Sequence, residues 1–176
     1  MGLPKALVGG WLIRGIDVLL AAGCSPVVVV LGAAAEHARA MLQDRAVTVA
    51  VAVDWSDGLS ASLRAGLMAL PVEVPAAVVT LIDLPDIGVK VVQRVLTNGA
   101  DAATLSRARY NGRPGHPVVL GRAHWPGILA TANGDFGART YLDRHLPTLI
   151  ECADLASGRD IDWPDEAMSA GVVSRA

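Results

Sequence analysis

Val27-Val28-Val29-Val30-Leu31-Gly32 decides the fold. Four consecutive β-branched valines followed by leucine and closed by glycine read as a parallel strand buried on both faces, not as an edge strand. Upstream, Trp11 to Ala22 places Leu12, Ile13, Ile16, Leu19 and Leu20 at helical spacing, and Gly23 stands where a helix C-terminus favours glycine. Downstream, residues 34–43 read as a helix and Val47 to Val53 (VTVAVAV) as a second strand. Residues 54–70 have a polar, glycine-containing start and a helical finish from about Ser60 to Leu70. The third strand, AAVVTLI over 76–82, runs into Asp83-Leu84-Pro85-Asp86. Asp86 reads as the N-cap of a helix over 87–97, closed by Asn98-Gly99. Three strand-to-helix repeats predict a doubly wound α/β sheet in which these three strands are parallel.

The last third changes character. Residues 101–109 are strand-like, Asn111-Gly112 signals a hairpin, and Pro117 to Leu120 returns as a strand. A helix over 122–131, the turn NGDFGAR, a short helix and a strand over 148–153 follow. Ser157-Gly158 turns the chain, and a final helix is expected to open at Pro164 with Asp165 and Glu166 in its first turn.

With 176 residues the chain suits one domain, residues 1–176. It is 52% hydrophobic and 18% charged, which excludes a disordered tail. A net charge of −2 without a basic block gives no nucleic-acid footprint, and 4% aromatic content argues against a platform for stacking bases. Cys24 and Cys152 lie far apart, without zinc-ligand spacing or a disulfide framework. The longest apolar stretch, Pro26 to Ala35, falls short of the roughly 20 residues of a membrane span. The start, MGLPKALVGGW, lacks the pattern of a signal peptide, so the expectation is a soluble cytoplasmic protein.

Ligands of open α/β sheets bind outside the carboxyl ends of the strands, so the polar residues that follow each strand are the candidates. Asp83, directly after the third strand, is placed either to hold a hard cation or only to cap the next helix. Asp160 and Asp162 alternate onto one face of an extended segment, as a metal pair or as a solvated face. Lys5 could meet phosphates as a point charge. Gly58, Ser60 and Ser62 introduce a helix whose N-terminal amides could bind an anion, although plain capping by serine serves equally. In NGDFGAR, Gly134 and Gly137 bracket Asp135 ahead of Arg139, a loop that can bind or merely turn; His116 could contact a substrate or sit exposed. His37, His124 and His145 have no metal spacing. No P-loop and no Gly-x-Ser-x-Gly elbow occurs.

Taken in order, LPKAL, VVVVLG, DWSDGLSASLRAGL, DLPD, GRPGHPVVL, GDFGARTYL and DIDWPDE span nearly the whole chain. The set resembles the MobA-like nucleotidyltransferases, and within them the molybdenum cofactor cytidylyltransferase branch. The resemblance implies a three-layer, Rossmann-like nucleotide-diphospho-sugar transferase fold with a mostly parallel sheet. It implies CTP (or GTP), the molybdopterin cofactor and magnesium as ligands, with a molybdoenzyme or its maturation chaperone as partner. Carried over residue by residue, it makes Lys5 and Asp83 catalytic and puts Lys5, Gly58, Ser60, Ser62 and Asp83 on the nucleotide. It assigns Asp83 and Asp162 to the metal, and His116, Asp135 and Arg139 to the pterin side.

Three departures accompany it. Trp163 stands where the family has Thr, and Asp54 where it has Asn. The family's first strand and glycine-rich loop precede the Pro-Lys pair, whereas here only Met1-Gly2 matches the end of that loop. The expectation is a sheet lacking its first, central strand, with exposed Val and Ile edges, a tendency to associate and a weakened grip on nucleotide. Guanylyl transfer, a sugar-nucleotide or alditol cytidylyltransferase, and a non-catalytic module that carries the cofactor are the alternatives.

Overall fold

The computed structural model describes residues 10–33 and 35–160. Lys5, Asp162, Trp163 and the helix expected from Pro164 lie outside the described residues. The decisive valine run forms β1 (Val28–Leu31), which pairs in parallel with β2 (Thr48–Val51), Val28 opposite Thr48 and Leu31 opposite Val51. Between them α2 (Ala35–Ala40) makes the crossover that a parallel pair requires.

Alternation along β1 decides what each side chain meets. Val29 and Leu31 are buried with Leu12 and Ile16 of α1 (Trp11–Ala21) and Ala38 of α2. Val30 points the opposite way, onto α3 (Leu59–Ala69), where a Cβ on Gly66 would stand 3.0 Å from its methyl. Both faces of the strand are covered, as its composition predicts.

The third predicted strand behaves differently. β3 (Ala76–Val79) has no ladder to β1 or β2 among the described residues; it belongs to a second sheet of order β3-β5-β4-β6. There β3 runs antiparallel to β5 (Arg113–Gly121), β5 antiparallel to β4 (Leu105–Tyr110), and β4 parallel to β6 (Thr148–Glu151). The expected parallel ladder therefore holds for β1 and β2, and no antiparallel ladder joins any two of the three predicted strands. Asn111 (φ 50°) and Gly112 (φ 83°) turn the chain between β4 and β5, and the long second arm of that hairpin takes the place beside β3. β1 and β3 each keep one edge without a ladder partner among the described residues, and Val51 and Val53 at the end of β2 are exposed.

Successive residues of β5 feed opposite layers. Val119 is buried against α4 (Val89–Leu96), together with Val91, Val92 and Val95 of that helix. Val118 and Leu120 face Leu67 of α3, Trp125 and Ile128 of α5 (Trp125–Thr131) and Leu142 of α6 (Arg139–His145). Each such buried aliphatic side chain stabilises the fold by about 1.5–3 kcal/mol before entropy is charged against it. Helices thus cover both faces of the sheet.

Two local expectations shift. The N-cap of α4 is Gly88, not Asp86. Asp86 instead uses Oδ2 to accept hydrogen bonds from the Ser157 N–H and hydroxyl, both at 2.6 Å. The last ladder assigned to β6 ends at Glu151, yet the Cys152 N–H still donates to the Arg109 carbonyl at 2.8 Å.

Candidate functional site

An open cleft of about 390 Å3 lies where β3 ends and β5 begins. That is the carboxyl edge of β3, the place where open α/β sheets bind ligands. Leu59 and Leu63 of α3, with Val79 and Leu81, form one wall; Val118 and Leu120 form the floor. Arg107 of β4, with Pro114 and His116 of β5, lines a second side, and the segment from Phe136 to Asp143 closes a third.

His116 reaches this cleft because the hairpin turn is followed by a strand start held from behind. The Tyr110 hydroxyl donates to the His116 carbonyl at 2.6 Å, and a Cβ on Gly115 would come within 2.8 Å of the Tyr110 ring. Gly158, at φ 65°, packs on the same ring, where any Cβ would collide. Burial, with the fields of Cys152 and Asp86, raises the Tyr110 phenol, so it stays a donor. The His116 imidazole is pushed down to about 4, first by burial and then by the Arg107 charge, with Asp83 pulling the other way. His116 is therefore neutral near pH 7, and Asp83 and Arg107 both act on it.

Arg139, at the N-terminal end of α6, lines the cleft and sits 3.8 Å from Asp143 one helical turn on, both well exposed. Asp135 is placed elsewhere: its Oδ1 accepts from the Leu59 N–H at 3.4 Å, at the start of α3. A carboxylate there suits the positive end of the helix. Gly58 makes the approach possible, since its φ is 99° and a Cβ would stand 2.5 Å from Asp135 Oδ1. The Gly58–Ser62 segment and the NGDFGAR loop, separate in sequence, are thus one structural unit beside the cleft. Ser60 is buried with no hydrogen-bond partner for its hydroxyl, and Ser62 is half-buried.

Asp83 follows β3 and is half-buried. Among the described residues no three His, Cys, Asp or Glu side chains gather as a metal site. Arg107, Phe136 and Asp143 are cleft residues absent from the sequence candidates. Alternation in Leu105-Ser106-Arg107-Ala108 carries a signal for the first, because it sets Arg107 on the same side as Leu105, which packs into the core.

Helices on both faces of the sheet, with a cleft at the carboxyl edge of β3, define a Rossmann-like α/β protein. Residues 4–149 match the MobA-like NTP transferase domain, and the chain belongs to that family. It is 34% identical to the nicotine blue oxidoreductase of Paenarthrobacter nicotinovorans, over 93% of this chain and 85% of that protein. Rv0371c from Mycobacterium tuberculosis H37Rv superposes with a TM-score of 0.77 at 26% identity, covering 97% of this chain and 89% of that one. Its complex with manganese gives 0.77 at 27% identity, over 96% and 91%. A nucleotidyl transferase from Methanothermobacter thermautotroptrophicus shares the fold, with a TM-score of 0.77 at 20% identity over 91% and 78%.

Proposed function

We propose that this chain transfers CMP from CTP to the terminal phosphate of molybdopterin, in the cytoplasm. A terminal phosphate oxygen attacks the α-phosphorus, the bond from that phosphorus to the β-phosphate oxygen breaks, and pyrophosphate leaves. The observation that carries the reading is a cleft at the carboxyl edge of β3 that Leu59 of the Gly58–Ser62 segment lines and whose His116 feels the charge of Asp83.

The donor set of the Asp83-Leu84-Pro85-Asp86 turn fits a hard divalent cation, because its oxygens are carboxylates and Asp86 Oδ1 is buried without a hydrogen-bond partner. Asp83 and Asp162 would hold magnesium, which when bound neutralises phosphate charge as pyrophosphate departs. The Asp86–Ser157 hydrogen bonds bring the chain to within five residues of Asp162 at that turn. Lys5 supplies a further positive charge to the triphosphate. Gly58, Ser60 and Ser62 border the nucleotide, and neutral His116, with Arg139, faces the pterin from the cleft; Asp135 supports that arrangement through α3.

A redox reading has one observation in its favour, the name of the 34%-identical relative. In that reading the cleft takes a reduced nicotinamide dinucleotide and an organic electron acceptor instead of a nucleoside triphosphate. Incubation with molybdopterin, magnesium and either CTP or GTP, read by pyrophosphate release and mass spectrometry of the dinucleotide, separates the readings. Product from CTP alone supports cytidylyl transfer and product from GTP alone replaces it with guanylyl transfer. No product, together with oxidation of NADH or NADPH by an added quinonoid dye, favours the redox reading. Binding of molybdopterin without either reaction leaves a carrier or docking module that serves a molybdoenzyme or its maturation chaperone.

A further inference from the structure

We infer that Arg107 is the receptor for the anionic group of the acceptor substrate, selecting a monophosphate ester carried on a heterocycle whose ring faces pack on apolar side chains. The inference deepens the transferase reading and rests on it. Arg107 projects from β4 into the cleft, half-buried, and its Nε donates to the Gly115 carbonyl at 3.2 Å. That bond fixes the side chain and leaves the two terminal NH2 groups without a hydrogen-bond partner among the described residues. No carboxylate there stands within 4 Å of the guanidinium: Asp143, whose field favours its charge, is paired with Arg139. A partly desolvated cation without a counter-ion is costly, and a ligand oxyanion relieves that cost.

The rest of the cleft narrows the class of ligand. His116, neutral and adjacent, adds no charge, while Arg139 at the rim adds a second cation partly offset by Asp143. Among the side chains that line the cleft the excess is therefore positive and centred on a planar fork, the geometry that grips phosphate oxygens in pairs. Around it, Leu59, Leu63, Val118 and Leu142 are apolar, and Phe136, 62% exposed, offers an open ring face at the mouth. A flat heterocycle with one phosphate meets each of these surfaces; an uncharged one leaves Arg107 uncompensated.

Pterin fluorescence titrations test this directly, using 6-hydroxymethylpterin and its phosphate ester against the full chain, with CTP plus magnesium titrated separately. The expected result is tenfold or tighter binding of the phosphate ester over the alcohol, a preference lost in Arg107→Gln and partly kept in Arg107→Lys. Affinity for the alcohol and affinity for CTP stay unchanged in both variants and the melting temperature does not fall, whereas a purely structural role for Arg107 would lower it. Retention of the preference in Arg107→Gln overturns the inference, as does equal affinity of the unaltered protein for ester and alcohol. In either case intact CTP binding leaves the transferase reading standing; loss of CTP binding by the unaltered protein defeats that reading instead.

Discussion

Asp86 and Ser157, 71 residues apart, are joined by two hydrogen bonds of 2.6 Å to one carboxylate oxygen. The pairing fastens the C-terminal segment to the turn after β3. Ser157→Ala removes the hydroxyl bond and keeps the backbone one. The expected loss is about 0.5–1.5 kcal/mol, the range for a hydrogen bond to a partly solvated group, read by urea denaturation. Asp86→Ala removes both and should cost more; equal stability of the two variants would show that the backbone bond contributes nothing.

Gly58→Ala should destabilise the fold by roughly 1–3 kcal/mol. The residue occupies a left-handed φ of 99°, and the new Cβ would meet Asp135 Oδ1 at 2.5 Å and the Gly134 carbonyl carbon at 2.6 Å. The cost has a backbone component, so pairing the change with Asp135→Ala should recover only part of it. Thermal melts of the single and double variants measure the split.

Acidification should weaken the fold through His116. Its unfolded value near 6.5 falls to about 4 in the folded chain, under burial and the Arg107 charge. Between those values the unfolded chain binds the extra proton, so stability is full above pH 6.5, declines as pH falls toward 4, and levels off below. The total is on the order of 3 kcal/mol. His116→Gln should flatten that part of the pH–stability curve; an unchanged curve would assign the acid sensitivity to the carboxylates.

Asp83→Asn should abolish nucleotidyl transfer while leaving the circular dichroism spectrum and melting temperature near those of the unaltered protein. The side chain is half-buried at a strand end rather than packed in the core, so the amide fits where the carboxylate did. Manganese or magnesium titration followed by calorimetry should show weakened metal binding in the same variant. Full activity in Asp83→Asn would remove this residue from the reaction.

The sequence by itself determined what is local. The β-branched run at Val27 to Val30 specified a strand buried on both faces, the apolar spacing from Leu12 to Leu20 specified α1, and Asn111-Gly112 specified the hairpin turn. Each is a property of side-chain period or backbone φ within a few residues, and such properties survive without knowledge of neighbours. The ordered motifs likewise sufficed to name the family. Tertiary structure alone decided that β3 leaves β1 and β2 for a sheet with β5, because a strand's composition states that it will be covered, not which edge it will pair. It also decided that Asp86 holds Ser157 instead of capping α4, and that Asp135 caps α3 from 76 residues away. A carboxylate has the same local signature whichever donor it meets. Arg107 is the same case: its strand period was legible, but only the tertiary structure brings it into one cleft with Asp143, which pairs with Arg139 one turn away on α6 and leaves Arg107 without a carboxylate within 4 Å among the described residues.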